Sequence, residues 1–115
     1  MPVGTNGASP MVSLEQIEDV GRRIAREFDP DRVILFGSYA EGTATEDSDV
    51  DLLVVLRFEG RPLEKSLEIL NRVDVRFPCD LLARPPEDVK RRYRQGDPLI
   101  REALDRGKIL YERAG

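Results

Sequence analysis

Val33-Ile34-Leu35-Phe36-Gly37-Ser38 is followed, after ten intervening residues, by Asp49-Val50-Asp51-Leu52-Leu53-Val54-Val55-Leu56. The first run is β-branched and aromatic and lies between turn residues at Asp29 to Asp31 and Gly37-Ser38, so it reads as a short strand. The second, Val50 to Leu56, is apolar apart from Asp51 and long enough for a central strand buried on both faces. Two-residue spacing puts Asp49 and Asp51 on one face of that strand and turns Val50 and Leu52 to the other. Burying both carboxylates unpaired would be costly. Hard oxygen ligands select Mg²⁺ or Mn²⁺, so Asp-x-Asp at a strand end points to a divalent cation. The competing reading is a loop leading into a solvated strand end.

Outward from this pair, Ser13 can cap a helix through a box with Gln16, with Leu14, Ile17, Val20, Ile24 and Phe28 down one face and Asp29-Pro30 as its stop. Pro62 begins a second helix carrying Leu63, Leu67, Leu70 and Val73. Val75 to Leu82 reads as a third strand, with Pro78 arguing for an edge position or a bulge. A charged helix from Glu87 to Gln95 follows Pro85-Pro86. Pro98 opens another, with Leu99, Ile100, Ala103 and Leu104 facing inward and Gly107 ending it. Ile109-Leu110-Tyr111 can add a last strand. The class is α+β.

A chain of 115 residues has room for one domain. Residues 1–12 read as a flexible tail, and 13–115 as the single domain. Cys79 is the one cysteine and histidine is absent, which removes disulfide frameworks, Cys/His zinc clusters and His-based triads. Eighteen basic against 22 acidic residues give a net charge of -4 and no general basic field, so direct nucleic-acid binding is not expected. No secretory signal and no membrane-length apolar run is present, which predicts a cytoplasmic protein.

Asp80, set among Cys79, Leu81 and Leu82, can bring a third carboxylate to the same place if its strand neighbours that of Asp51; Asp74 is the competing choice. Gly37 would let the backbone approach a phosphate closely, with exposed N–H groups and the Ser38 hydroxyl as donors. The P-loop and the three-glycine dinucleotide fingerprint are both absent, and counting from Asp47 gives no EF-hand, because Leu52 stands where glycine is needed and Phe58 where glutamate is needed.

Gly37-Ser38, ten residues, Asp49-Val50-Asp51-Leu52 and a later Asp80 together resemble the signature of the DNA polymerase beta-like nucleotidyltransferase superfamily. Phe28-Asp29-Pro30 leading into Val33 to Ala40, then Gly42-Thr43-Ala44 and Asp47 to Val55, resembles more narrowly its minimal nucleotidyltransferases. The likeness spans residues 13 to 111 and is densest over 28 to 56. It implies a small mixed β-sheet with helices packed against it, and transfer of a nucleoside monophosphate from a triphosphate to a hydroxyl, releasing pyrophosphate. Asp49 and Asp51 would hold two Mg²⁺ ions, Gly37 and Ser38 the triphosphate of ATP, and Asp80 would serve the acceptor-side metal and help deprotonate the hydroxyl.

The resemblance further implies a HEPN-domain toxin as partner, with this chain as the antitoxin that adenylylates it; homo-oligomerisation is left open. A non-catalytic module neutralising its partner by occlusion is the alternative, and transfer to a small molecule such as an aminoglycoside a third. Glu41 departs from the pattern, since many relatives carry Arg there and an acid near a triphosphate is unhelpful. Lys90, Arg91, Arg92 and Arg94 read as a solvated helix face or a contact for an acidic partner. Tyr39 can stack on a base or pack over the loop, and Cys79 reads as a small buried hydrophobe.

Overall fold

The computed structural model describes residues 11–114, so residues 1–10 of the expected tail lie outside the described part. Helix α1 (Leu14–Phe28) begins at the expected capping box. Ser13 Oγ accepts the Gln16 N–H at 3.1 Å, and Gln16 Oε1 accepts the Ser13 N–H at 2.9 Å. The helix stops at Asp29, which takes a left-handed φ of 46° and returns its N–H to the Ala25 carbonyl. There follow β1 (Arg32–Phe36), the single turn α2 (Ser38–Glu41), β2 (Val50–Val55), α3 (Pro62–Val73), β3 (Cys79–Arg84), α4 (Pro86–Arg94), α5 (Pro98–Arg106) and β4 (Lys108–Glu112).

The strands form one mixed sheet in the order β3-β2-β1-β4, with β1 antiparallel to both its neighbours and β3 parallel to β2. Helix α3 supplies the crossover that a parallel pair requires. The α+β class and the small mixed sheet are therefore as expected.

Alternation along the strands divides the core into two layers. Val33, Leu35, Val50, Leu52 and Val54 pack with Ile17, Val20 and Ile24 of α1 and Ile69 and Val73 of α3. Ile34, Phe36, Leu53 and Val55 pack with Val89 of α4 and with Ile100 and Ala103 of α5. Period-2 geometry sets Asp51 on the face of Leu53 and Val55, and Asp80 on that of Leu82, so both carboxylates extend the α4/α5 face at one end of the sheet.

Three expectations are corrected. The third strand starts at Cys79 and not at Val75, because Asp74 adopts a left-handed φ of 54° and the Val75 N–H turns back to the Leu70 carbonyl at 3.4 Å. Pro78 thus precedes the edge strand, where its carbonyl accepts the Val50 N–H at 3.0 Å. Leu14 and Leu99, expected inward, are 44% and 45% exposed, each in the first turn of its helix. The buried row of α3 is Ser66, Ile69 and Val73, which leaves Leu63 and Leu67 facing solvent.

Ser66 explains why a polar residue leads that row. Its Oγ donates to the Pro62 carbonyl at 2.9 Å and accepts the Ala83 N–H at 3.0 Å, closing a donor that an edge strand would otherwise leave unpaired. Ser66→Ala should strand a buried N–H and cost about 1–3 kcal/mol of unfolding free energy, measured by urea denaturation with an unchanged m value.

Candidate functional site

The register aligns Phe36 with Asp51 across β1 and β2, and Asp51 with Asp80 across β2 and β3. Asp80, and not Asp74, is therefore the carboxylate beside Asp51; Asp74 caps α3 and pairs with Arg76 at 2.8 Å. Asp49 lies just ahead of β2. The turn before it is held by the Thr45 N–H on Ser48 Oγ at 2.9 Å and the Ser48 N–H on the Thr45 carbonyl at 3.0 Å. Asp49 and Asp80 are exposed and Asp51 is half-buried.

Gly37 leaves β1 with a φ of 78°, a region that favours glycine, and a Cβ at this position would lie 2.3 Å from Asp51 Oδ2. The backbone thus passes directly over the carboxylate. Its carbonyl accepts the N–H groups of Ala40 and Glu41 at 3.0 and 3.1 Å, winding the chain into α2. Among the described residues, neither the N–H of Ser38 or Tyr39 nor the Ser38 hydroxyl donates a hydrogen bond, which leaves neutral donors beside the carboxylates.

Burial pushes the Asp51 carboxyl up to about 6, with repulsion from Asp80, Asp49 and Glu102 adding to it in that order. Burial, and after it repulsion from Asp80, Asp51 and Asp49, drives the Cys79 thiol up to about 12, so this cysteine packs at the sheet end as a hydrophobe and not as a nucleophile. No lysine or arginine pairs with Asp49, Asp51 or Asp80 among the described residues. An all-oxygen donor set carrying uncompensated charge fits a hard divalent cation. The carboxylates are neighbours without being a closed chelate: among the described residues no three His, Cys, Asp or Glu groups converge tightly enough to hold an ion.

Residues from α5 complete the surroundings. The charge of Glu102 adds the last and smallest part of the repulsion on Asp51, and Arg106 Nη2 lies 3.6 Å from Glu41 Oε1 at the end of α2. No spacing in the sequence connects these two to the aspartates; packing of the chain's last helix on β1 does. Tyr39 is half-buried against the core, and its hydroxyl accepts the Val12 N–H at 3.2 Å, which favours packing over base stacking. In the basic run, Asp88 binds Arg91 and Arg92, and Arg92 also reaches Asp97 at 3.2 Å, so half of that charge is neutralised within the protein.

These electrostatics carry a signed consequence. A carboxyl held near 6 in the folded protein, against about 3.9 unfolded, binds its proton more tightly when folded, so the stability linked to it is lost as pH rises from about 4 through 6. Asp51→Asn should therefore raise the Tm of cation-free protein by several degrees at pH 7.5, with the gain shrinking at pH 5. Scanning calorimetry of both proteins at the two pH values checks this.

Residues 17–110 match the family model described as "Nucleotidyltransferase domain". The chain is 37% identical over 89 residues to "Putative protein adenylyltransferase MJ1305" of Methanocaldococcus jannaschii, an alignment covering 70% of this chain and 58% of that protein. It thus spans less than two thirds of that relative. Among solved structures, "a putative nucleotidyltransferase from Sulfolobus solfataricus" superposes with a TM-score of 0.61 at 19% identity, over 87% of this chain and 80% of the other. A toxin-antitoxin structure with AMP-PNP superposes with a TM-score of 0.54 at 22% identity, over 84% of this chain and 73% of the other. At those identities the two structures attest the fold, while the family model and the curated relative attest descent. The chain belongs to the nucleotidyltransferase domain family.

Proposed function

We propose that this protein is a Mg²⁺-dependent adenylyltransferase that moves AMP from ATP to a hydroxyl on a partner protein, as the antitoxin of a HEPN-type toxin pair in the cytoplasm. The observation that carries it is the Asp51–Asp80 pair in register beneath Gly37, an uncompensated acidic row beside unused neutral donors. A relative named as a protein adenylyltransferase and a fold shared with a toxin-antitoxin structure containing AMP-PNP support the acceptor class and the pairing.

In this reading the Ser38 and Tyr39 N–H groups and the Ser38 hydroxyl bind the phosphate tail, and Asp49, Asp51 and Asp80 would hold two Mg²⁺ ions. Those ions would offset the charge on the attacking and leaving oxygens of an in-line displacement. The acceptor oxygen forms a bond to the α-phosphorus, and the bond from that phosphorus to the bridging oxygen breaks. Pyrophosphate leaves with the electron pair. The acceptor proton passes to Asp80, which is exposed at the sheet edge where a protein hydroxyl can reach it.

The test uses ATP labelled in turn at the α and γ phosphates, with Mg²⁺ and the co-expressed partner. Label should reach the partner from the α position only, and fall at least about a hundredfold in the Asp49→Asn/Asp51→Asn variant. If no label appears while that variant still neutralises the partner, neutralisation is by occlusion and transfer is excluded.

A further inference from the structure

The border of the acidic row carries a cation that no part of the motif supplies. Helix α5 is pinned by its end against the strand that leads to Gly37. A Cβ at Gly107 would lie 2.3 Å from the Ala103 carbonyl oxygen, 2.6 Å from Ile34 Cγ2 and 2.8 Å from the Leu35 carbonyl oxygen. Only a residue without a side chain permits that approach. This fixes the last turn of α5 beside the turn at Gly37-Ser38. Glu102 and Arg106, one helical turn apart, share a face. The first acts on Asp51 and the second meets Glu41, three residues after Ser38.

Arg106 is held loosely. Its partner oxygen is 3.6 Å away, an ionic contact longer than a hydrogen bond, and the two side chains are 65% and 34% exposed. Exposed pairs of this kind contribute little to stability. Arg101, the other arginine on the helix, is already engaged, with its guanidinium 4.4 Å from the Tyr93 ring centroid and its Nε donating to the Tyr93 carbonyl at 3.0 Å. A hollow of about 340 Å³ runs along this face between Pro98, Arg101, Glu102, Asp105 and Arg106. It leaves open space beside the arginine, although Glu102 and Asp105 also line it.

We infer that Arg106 is a nucleotide-binding residue that engages the β- and γ-phosphates of the triphosphate, and that Glu41 is its placeholder, releasing the guanidinium when the more highly charged phosphate arrives. A guanidinium suits this exchange, because its fork of N–H donors matches phosphate oxygens as well as carboxylate oxygens. Glu41 opposes substrate binding by its charge and prepares for it by its hold on Arg106. The inference rests on the nucleotidyl-transfer reading above.

The placeholder role separates from a structural latch by the sign of two substitutions. Binding of the non-cleavable α,β-methylene analogue of ATP, and of AMP, is measured by calorimetry in Mg²⁺ for wild type, Arg106→Ala, Arg106→Lys and Glu41→Gln. Arg106→Ala should weaken the analogue about tenfold, equivalent to about 1.4 kcal/mol, and leave AMP unchanged; Arg106→Lys should recover part of the loss. Glu41→Gln should bind the analogue as tightly as wild type or more so.

Equal weakening by Arg106→Ala and Glu41→Gln, with matching falls in Tm, would identify a latch between α2 and α5 and overturn the inference. Unchanged analogue binding in Arg106→Ala would overturn it as well. Wild-type protein that binds neither nucleotide would instead remove the nucleotidyl-transfer reading, and the role of Arg106 with it.

Discussion

Two like charges stand side by side across parallel strands, Asp51 opposite Asp80, at the end of a sheet whose central strand is otherwise buried on both faces. Much of the architecture follows from tolerating them. The apolar body of β2 needs helices on both sides, which the α1/α3 and α4/α5 layers provide. The chain leaving β1 must cross a carboxylate oxygen with no side chain of its own, which leaves Gly37 as the sole choice. Among the described residues neither lysine nor arginine pairs with the row, although a cation there would stabilise the resting protein. The unpaired charge is a local sacrifice of stability of the kind that marks functional sites.

The two helical layers divide their duties. Helices α1 and α3 lie on the larger cluster, and the chain is capped, turned and hydrogen-bonded there for rigidity, from the box at Ser13 to the buried bridge made by Ser66. Helices α4 and α5 cover a smaller cluster, and α5 carries Glu102, whose charge acts on Asp51. Of the groups around the acidic row, the aspartates and Gly37 sit on or beside the sheet, whereas Glu102 and Arg106 come from a helix held mainly by Ile100, Ala103 and the close seat of Gly107.

What could be read in the sequence follows the range of the forces involved. The runs at Val33 and Val50, the box at Ser13 and the prolines at 62, 86 and 98 act within a few residues, and each marks its element within about two positions. The strand expected from Val75 was displaced because Val75 and Phe77 alternate with polar residues as a strand does, while the event that decides, a left-handed Asp74, carries no glycine to announce it. Leu63 and Leu67 keep helical spacing and still face solvent, since hydrophobic periodicity cannot say which stripe a sheet will cover. Asp49 and Asp51 were visible as a pair from period two alone. The place of Asp80 beside them depends on a parallel pairing that spacing does not encode, and the resemblance to nucleotidyltransferases supplied it. Glu102 and Arg106 carried no signal, because they reach the row only through tertiary packing.

The link between the two best-defined strands has an evolutionary consequence. Five aligned residue pairs from Arg32–Val55 to Phe36–Asp51 set the register of β1 on β2, and none of them depends on residues 43–48, which are mostly exposed and held by contacts among themselves. Loop closure grows costly only slowly with length. Insertions in this connection could therefore accumulate without shifting Gly37 or Asp51, so the rim is free to change in length and composition while the acidic row beneath it stays in place.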